Sequence, residues 1–143
     1  MEKEHRKNIS EIKMIIDTTF AIDVMRNEPA AVEKLYALFK QGRTIKVSAP
    51  TIFELFSGVA RCSRPVEEKR KIMQLLENQS VTPLTNESAE KAGEIDGKLC
   101  NEGKMIQVPD SMIAGIALIK NEKVLTRNVK DFSKIPGLQV ETY

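Results

Sequence analysis

Apolar residues along the chain follow two rhythms. KMII at 13–16, IKVS at 45–48, SVTPL at 80–84, KVLT at 123–126 and LQVET at 138–142 have the length and β-branched content of strands. Between them Val32, Leu35, Tyr36 and Phe39 recur at helical spacing after Pro29, and Ile72, Met73, Leu75 and Leu76 do so after Pro65. Proline is favoured at a first helical position, so both stretches predict amphipathic helices. Asn86 can cap another helix, with a stripe through Ala89, Ala92, Leu99 and Cys100 and an end near Gly103. A further helix is predicted to begin at Asp110 and is apolar on nearly every side from Met112 to Ile119, so it is expected to be buried.

Strands alternating with helices imply βαβ units, a central parallel sheet and helices on both of its faces. No internal repeat, low-complexity stretch or interdomain linker interrupts the pattern. The whole is expected to be one α/β domain over residues 13–143, preceded by a polar leader at 1–12.

Composition narrows this only modestly. A chain of 143 residues can bury a sizeable core without disulfides or structural metal. With 41% apolar and 29% charged residues it is globular rather than disordered, and a formal net charge of +2 announces no partner. Cys62 and Cys100 stand apart without CxxC or Cys/His spacing, which points to reduced thiols rather than a bridge or zinc site. MEKEHRKNISEIK lacks the apolar core of a signal peptide, and the run from Met112 to Ile119 is far short of a membrane span. A cytoplasmic protein is expected.

The only histidine, His5, lies in the polar leader. That placement argues against Ser-His-Asp, Cys-His and histidine-zinc chemistry, and leaves carboxylates as the main chemical equipment.

In open α/β sheets ligands gather beyond the carboxyl ends of the strands. Asp17 follows the first strand directly in IIDTTFAID, Glu54 lies early in the helix after the second strand, Asp110 opens the buried helix, and Thr126-Arg127-Asn128 follows KVLT. All four places can reach one crevice. Asp17 and Asp110 also read as helix N-caps, and Glu54, flanked by Ile52, Phe53, Leu55 and Phe56, could pair with an arginine or with backbone amides. Three carboxylates in one crevice would repel one another unless a cation neutralised them. Oxygen-only donors select hard ions such as Mg²⁺ or Mn²⁺, and a metal that activates water equips a site for phosphodiester hydrolysis.

IIDTTFAID, TIFELFSGV, VPDSMIAGIAL and VLTRNVKDFSKIPGL, in this order and at these intervals, resemble a PIN-domain protein of the VapC toxin type over residues 13–143. The resemblance implies a three-layer α/β/α sandwich and Mg²⁺- or Mn²⁺-dependent cleavage of RNA, leaving 5′-phosphate and 3′-hydroxyl ends. It assigns metal binding and catalysis to Asp17, Glu54 and Asp110, and hydroxyls beside them to Thr18 and Thr126. It further implies a homodimer and a cognate antitoxin that silences the acidic site. One position departs: where the family frequently has a fourth acid two residues after Thr126, this chain has Asn128. Asp131, three residues on, can reach the metal directly or through water if the segment turns helically, or serve as a cap or surface residue.

Asp23 falls about one and a half turns into the first helix and is expected to support the site from behind, as by holding an arginine. Arg26, Arg61, Arg64, Arg127 and Lys130 lie near the motif-bearing segments and are candidates for the RNA backbone, against the ordinary reading of solvated surface charge. Only 5% of residues are aromatic and none is Trp, so extensive base stacking is not evident.

Two other readings compete. One is a PIN fold weakened by Asn128 that binds RNA or a protein without cutting. The other is a different acidic α/β protein, a receiver domain or a haloacid-dehalogenase-like phosphatase. The second fits poorly, because Asp17 is followed by Thr18-Thr19 rather than forming a DxD pair. The lack of GxGxxG after the first strand argues against a dinucleotide binder.

Overall fold

The computed structural model describes residues 13–143; the polar leader and His5 lie outside the described residues. The chain runs β1 (Lys13–Ile16), α1 (Thr18–Met25), α2 (Pro29–Lys40), β2 (Thr44–Ser48), α3 (Ala49–Arg61), α4 (Pro65–Leu76) and β3 (Val81–Thr82). It continues through α5 (Asn86–Asn101), α6 (Val108–Lys120), β4 (Lys123–Leu125), α7 (Val129–Phe132) and β5 (Val140–Glu141). The strands form one five-stranded sheet in the order β3-β2-β1-β4-β5, and every pairing is parallel.

β1 is the central strand, and its period-2 alternation divides the core. Met14 and Ile16 join Phe20, Ala31, Leu38, Val47, Leu55, Ile72 and Leu125 in one cluster, beneath α1 to α4. Ile15 enters the other, with Ile95, Leu99, Ile113, Ile116, Val124 and Phe132, beneath α5 to α7. Each such fully buried side chain contributes about 1.5–3 kcal/mol relative to exposure. The predicted three-layer sandwich is therefore the observed one.

α5 and α6 pack closely enough that a Cβ on Gly115 would lie 2.6 Å from the Ser88 carbonyl oxygen and 2.9 Å from Ala92 Cβ. Glycine at 115 is what lets the two helices touch. The first of them is capped by Thr85 rather than Asn86: the Thr85 hydroxyl accepts from Ser88 N–H while Ser88 Oγ accepts from Thr85 N–H.

Other local expectations need correction. The buried stripe of α5 is Ser88, Ala92, Ile95 and Leu99; Ala89 and Cys100 face out. On α2 burial is carried by Ala31 and Leu38, while Tyr36 and Phe39 are exposed, Phe39 by 81%. On α4 Ile72 is buried and Met73 exposed. Both cysteines are free thiols. Among the described residues no helix is long and apolar enough to cross a membrane.

Candidate active site

From β1 the chain steps outward to β2 and β3 on one side, then returns to place β4 and β5 on the other. The strand order therefore reverses between β1 and β4, where an open α/β sheet leaves a crevice at its carboxyl edge. Asp17 ends β1 at this point and Thr126 ends β4. The Asp17 backbone N–H donates to the Leu125 carbonyl at 3.0 Å, and the Thr126 hydroxyl donates to Asp17 Oδ2 at 2.5 Å.

Asp17 is the N-cap of α1 and at the same time lies at the crevice. Its backbone is extended, and its Oδ1 accepts from Phe20 N–H at 3.0 Å, capping α1. The same carboxylate accepts from the Thr19 hydroxyl at 2.7 and 2.9 Å, so that donors approach it from two elements. At 1% exposure it is nearly sealed. Burial raises its pKa, with a further contribution from the charge of Glu54, against the lowering effect of hydrogen bonds from Thr126, Phe20 and Thr19.

Glu54 reaches the same edge from the second turn of α3. Its Oε1 accepts from the Thr18 hydroxyl at 2.6 Å, and Thr18 also lies 3.2 Å from the Thr51 hydroxyl. Thr18 therefore serves Glu54, whereas Thr19 serves Asp17. The neighbours Leu55 and Phe53 divide between core and solvent, so α3 presents Glu54 along its boundary.

Asp110 is not the N-cap of its helix: α6 begins at Val108, with Gln107 as N-cap and Pro109 within the first turn. Asp110 is inside that turn, where the helix dipole favours an anion, yet its carboxyl is pushed up to about 7. Burial is the main cause, followed by the charges of Asp17, Glu54 and Asp131. Four acids from different elements thus share one electrostatic neighbourhood.

Asp131 lies in α7, the single helical turn after β4, and behaves in the opposite sense. Asn128 Nδ2 donates to its Oδ2 at 2.9 Å and Lys134 to its Oδ1 at 3.0 Å, holding its pKa below the usual carboxylate range. Asn128 is itself drawn inward by its backbone N–H, which donates to the Thr126 hydroxyl at 2.8 Å.

Asp23 does hold an arginine. It is buried in α1, accepts from Arg127 Nη1 at 3.1 Å and from the Tyr143 hydroxyl at 2.6 Å. Among the other basic candidates, Arg26 and Lys130 are exposed, Arg61 donates to the Ser57 carbonyl on its own helix, and Arg64 pairs with Glu67 at the surface. Thr19, Thr51, Lys134 and Tyr143 are hydrogen-bonded neighbours of the candidate residues that the sequence did not single out. Thr19 alone carried a signal, two residues after an aspartate able to cap a helix.

The donor set suits a hard divalent cation: oxygen ligands only, with burial and, after it, the charges of neighbouring acids holding one carboxyl up to about 7. Among the described residues, however, no three His, Cys, Asp or Glu side chains converge closely enough to ligate one ion. The arrangement fits an ion held by one or two carboxylates and completed by water, which is the ordinary coordination of Mg²⁺.

An acidic crevice at the reversal point of a parallel five-stranded sheet defines the class, and comparison with known proteins agrees. The sequence profile of the PIN domain matches residues 14–138. Ribonuclease VapC19 of Mycobacterium tuberculosis is 32% identical over 126 residues, covering 87% of this chain and 96% of that protein. The tRNA(fMet)-specific endonuclease VapC of Shigella flexneri is 27% identical, covering 92% and 98%. Among solved structures, DNA-bound VapBC from Salmonella typhimurium superposes with a TM-score of 0.80 at 25% identity, covering 92% of this chain and 98% of the matched one. The chain belongs to the PIN-domain family and, within it, to the VapC proteins.

Proposed function

We propose that this chain is a divalent-metal-dependent ribonuclease, the toxin of a toxin-antitoxin pair. The observation that carries the reading is the electrostatic coupling of Asp17, Glu54 and Asp110 around the reversal point of the sheet, where the charges of the first two add to burial in lifting Asp110 to about 7.

Asp17, Glu54 and Asp110 would hold Mg²⁺ or Mn²⁺, directly or through water, with Asp131 and Asn128 as further donors. When bound, the ion supplies Lewis-acid stabilisation of the charge that builds on the phosphoryl oxygens and activates water for in-line attack. Thr126 and Thr19 fix the Asp17 carboxylate, and Thr18 fixes Glu54, so neither acid has to reorganise when a charged substrate arrives.

The test is cleavage of a labelled structured RNA by purified protein with Mg²⁺, Mn²⁺ or EDTA, beside Asp17→Asn prepared identically. Initiator tRNA is the first substrate to try, because the Shigella flexneri relative is named for it. Metal-dependent cutting that disappears in Asp17→Asn supports the reading; full activity in the mutant would sink it.

A cognate antitoxin is the expected inhibitor, as befits a VapC protein. A homodimer is expected as well. Light scattering that finds only monomer at all concentrations would remove the dimer.

One observation favours a second reading, a PIN fold that binds RNA or protein without cutting. Asn128 and Lys134 both occupy Asp131, the acid on α7 that could replace the charge missing at 128. Metal binding without turnover on any RNA would favour it.

A further inference from the structure

Asp23 is buried in the last turn of α1, and a buried carboxylate requires partners. One of its partners is out of proportion to a structural role. The Arg127 side chain is 64% exposed against 5% for that of Asp23. Solvent screens the open member, so the pair contributes less to folding stability than a fully buried one would. The other partner does the sealing: the Tyr143 hydroxyl donates to Asp23 Oδ2 at 2.6 Å, and its ring packs edge-on against the buried Phe20 at 4.9 Å between centroids. With Oδ2 taken, Oδ1 accepts from Arg127 Nη1 at 3.1 Å.

The rest of the guanidinium makes no hydrogen bond among the described residues. Its backbone is fixed at the acidic crevice all the same. Arg127 N–H donates to Thr19 Oγ1 at 3.2 Å, and that hydroxyl donates to Asp17. Arg127 also lies directly between Thr126, which donates to Asp17, and Asn128, which donates to Asp131. A guanidinium tethered by one hydrogen bond and otherwise open is thus set at the rim of a crevice of carboxylates. Such a crevice repels a polyanion, and a planar fork with unused donors is the group suited to grip phosphate oxygens beside it.

We propose that Arg127 grips an RNA backbone phosphate adjacent to the acidic crevice, and that Asp23 and Tyr143 are positioning residues that aim it. The proposal rests on reading the chain as an RNA-binding VapC protein. It assigns Asp23 a task outside the metal site, which explains why a carboxylate so near Asp17 is turned toward an arginine.

The experiment measures binding of a labelled single-stranded RNA in EDTA across a salt series, and steady-state cleavage in Mg²⁺, for wild type, Arg127→Gln, Arg127→Lys and Tyr143→Phe. Arg127→Gln should weaken RNA binding and raise KM roughly tenfold, as loss of a hydrogen bond to a charged group does, with a much smaller change in kcat. The slope of log Kd against log salt should fall by about 0.7, the loss of one phosphate contact on a single strand. Arg127→Lys should restore the slope but only part of the affinity, since a point charge replaces a fork. Tyr143→Phe removes one hydroxyl from a packed ring and should weaken binding in wild type while adding nothing in the Arg127→Gln background.

An Arg127→Gln protein with wild-type KM and salt slope overturns the proposal, as does one that loses only melting temperature. Wild-type protein that binds no RNA at low salt overturns it as well. RNA binding with the predicted slope change but no cleavage by wild type would defeat the nuclease reading and leave this one standing.

Discussion

Thr126 donates its hydroxyl to the Asp17 carboxylate at 2.5 Å, joining the ends of β4 and β1 across 109 positions of sequence. The bond favours the charged form of a carboxylate whose pKa burial raises. Thr126→Val keeps the shape and removes the donor. It should cost about 1 kcal/mol in urea unfolding, the usual net worth of a hydrogen bond, and more where Asp17 is ionised. It should also weaken Mn²⁺ binding, because Asp17 would hold its proton more tightly. Wild-type metal affinity in Thr126→Val would show that Asp17 is not a ligand.

Asp110 makes stability depend on pH in a direction opposite to that of most carboxylates. Its pKa is about 7 in the fold against 3.8 as the reference value, so the folded state binds more protons between those limits. Its contribution to stability is therefore present below about pH 4 and lost as pH rises toward 7 and above. In EDTA, Asp110→Asn should recover about 1–2 kcal/mol at pH 8, allowing for solvent screening, and almost nothing at pH 4. Calorimetry at the two pH values checks this. Metal should reverse the trend, with affinity for Mn²⁺ rising from pH 6 to 8 as the proton leaves Asp110.

The legible parts of this chain were those where one local signal has one physical meaning. IIDTTFAID showed a buried strand ending on a carboxylate, and the rule for ligands at strand ends drew Asp17, Glu54 and Asp110 to one edge of the sheet, where their charges act on one another. The helical spacing of Val32, Tyr36 and Phe39 misled, because periodicity reveals an apolar face without showing what covers it. α7 has four residues, too few for any period to emerge. Tyr143 could not be read at all: its bond to Asp23 spans 120 positions and exists only because β5 lies beside β4.

Gly115 and Gly97 offer opposite outcomes from the same substitution. Gly115→Ala drives a methyl against the Ser88 carbonyl and Ala92, backbone that cannot give way without parting α5 from α6. Overpacking of this kind should cost about 1–3 kcal/mol. Gly97 lies in the interior of α5, and a Cβ added there would meet nothing within 4 Å. Gly97→Ala should therefore stabilise by about 0.5–1 kcal/mol through helix propensity. Urea unfolding of both variants decides whether the α5–α6 contact is as close as described.

Asn128→Asp separates the two accounts of the missing fourth acid. In wild type the amide of Asn128 donates to Asp131 and so removes that carboxylate from the pool of free ligands. The aspartate cannot donate, places a second negative charge beside Asp131, and leaves Lys134 as the remaining donor to it. Without metal the variant should be less stable than wild type, by roughly 1 kcal/mol for a lost hydrogen bond to a charge at a partly exposed site. With Mn²⁺ the order should reverse, since ligand binding to the folded state stabilises by mass action and the variant should bind more tightly. The measurement is the shift in melting temperature between EDTA and saturating Mn²⁺, set beside the same shift for Asp131→Asn. A larger shift in Asn128→Asp and a smaller one in Asp131→Asn mean that α7 faces the ion. Equal shifts in both and in wild type mean that Asn128 and Asp131 form a structural clasp, and that Asp17, Glu54 and Asp110 constitute the whole ligand set.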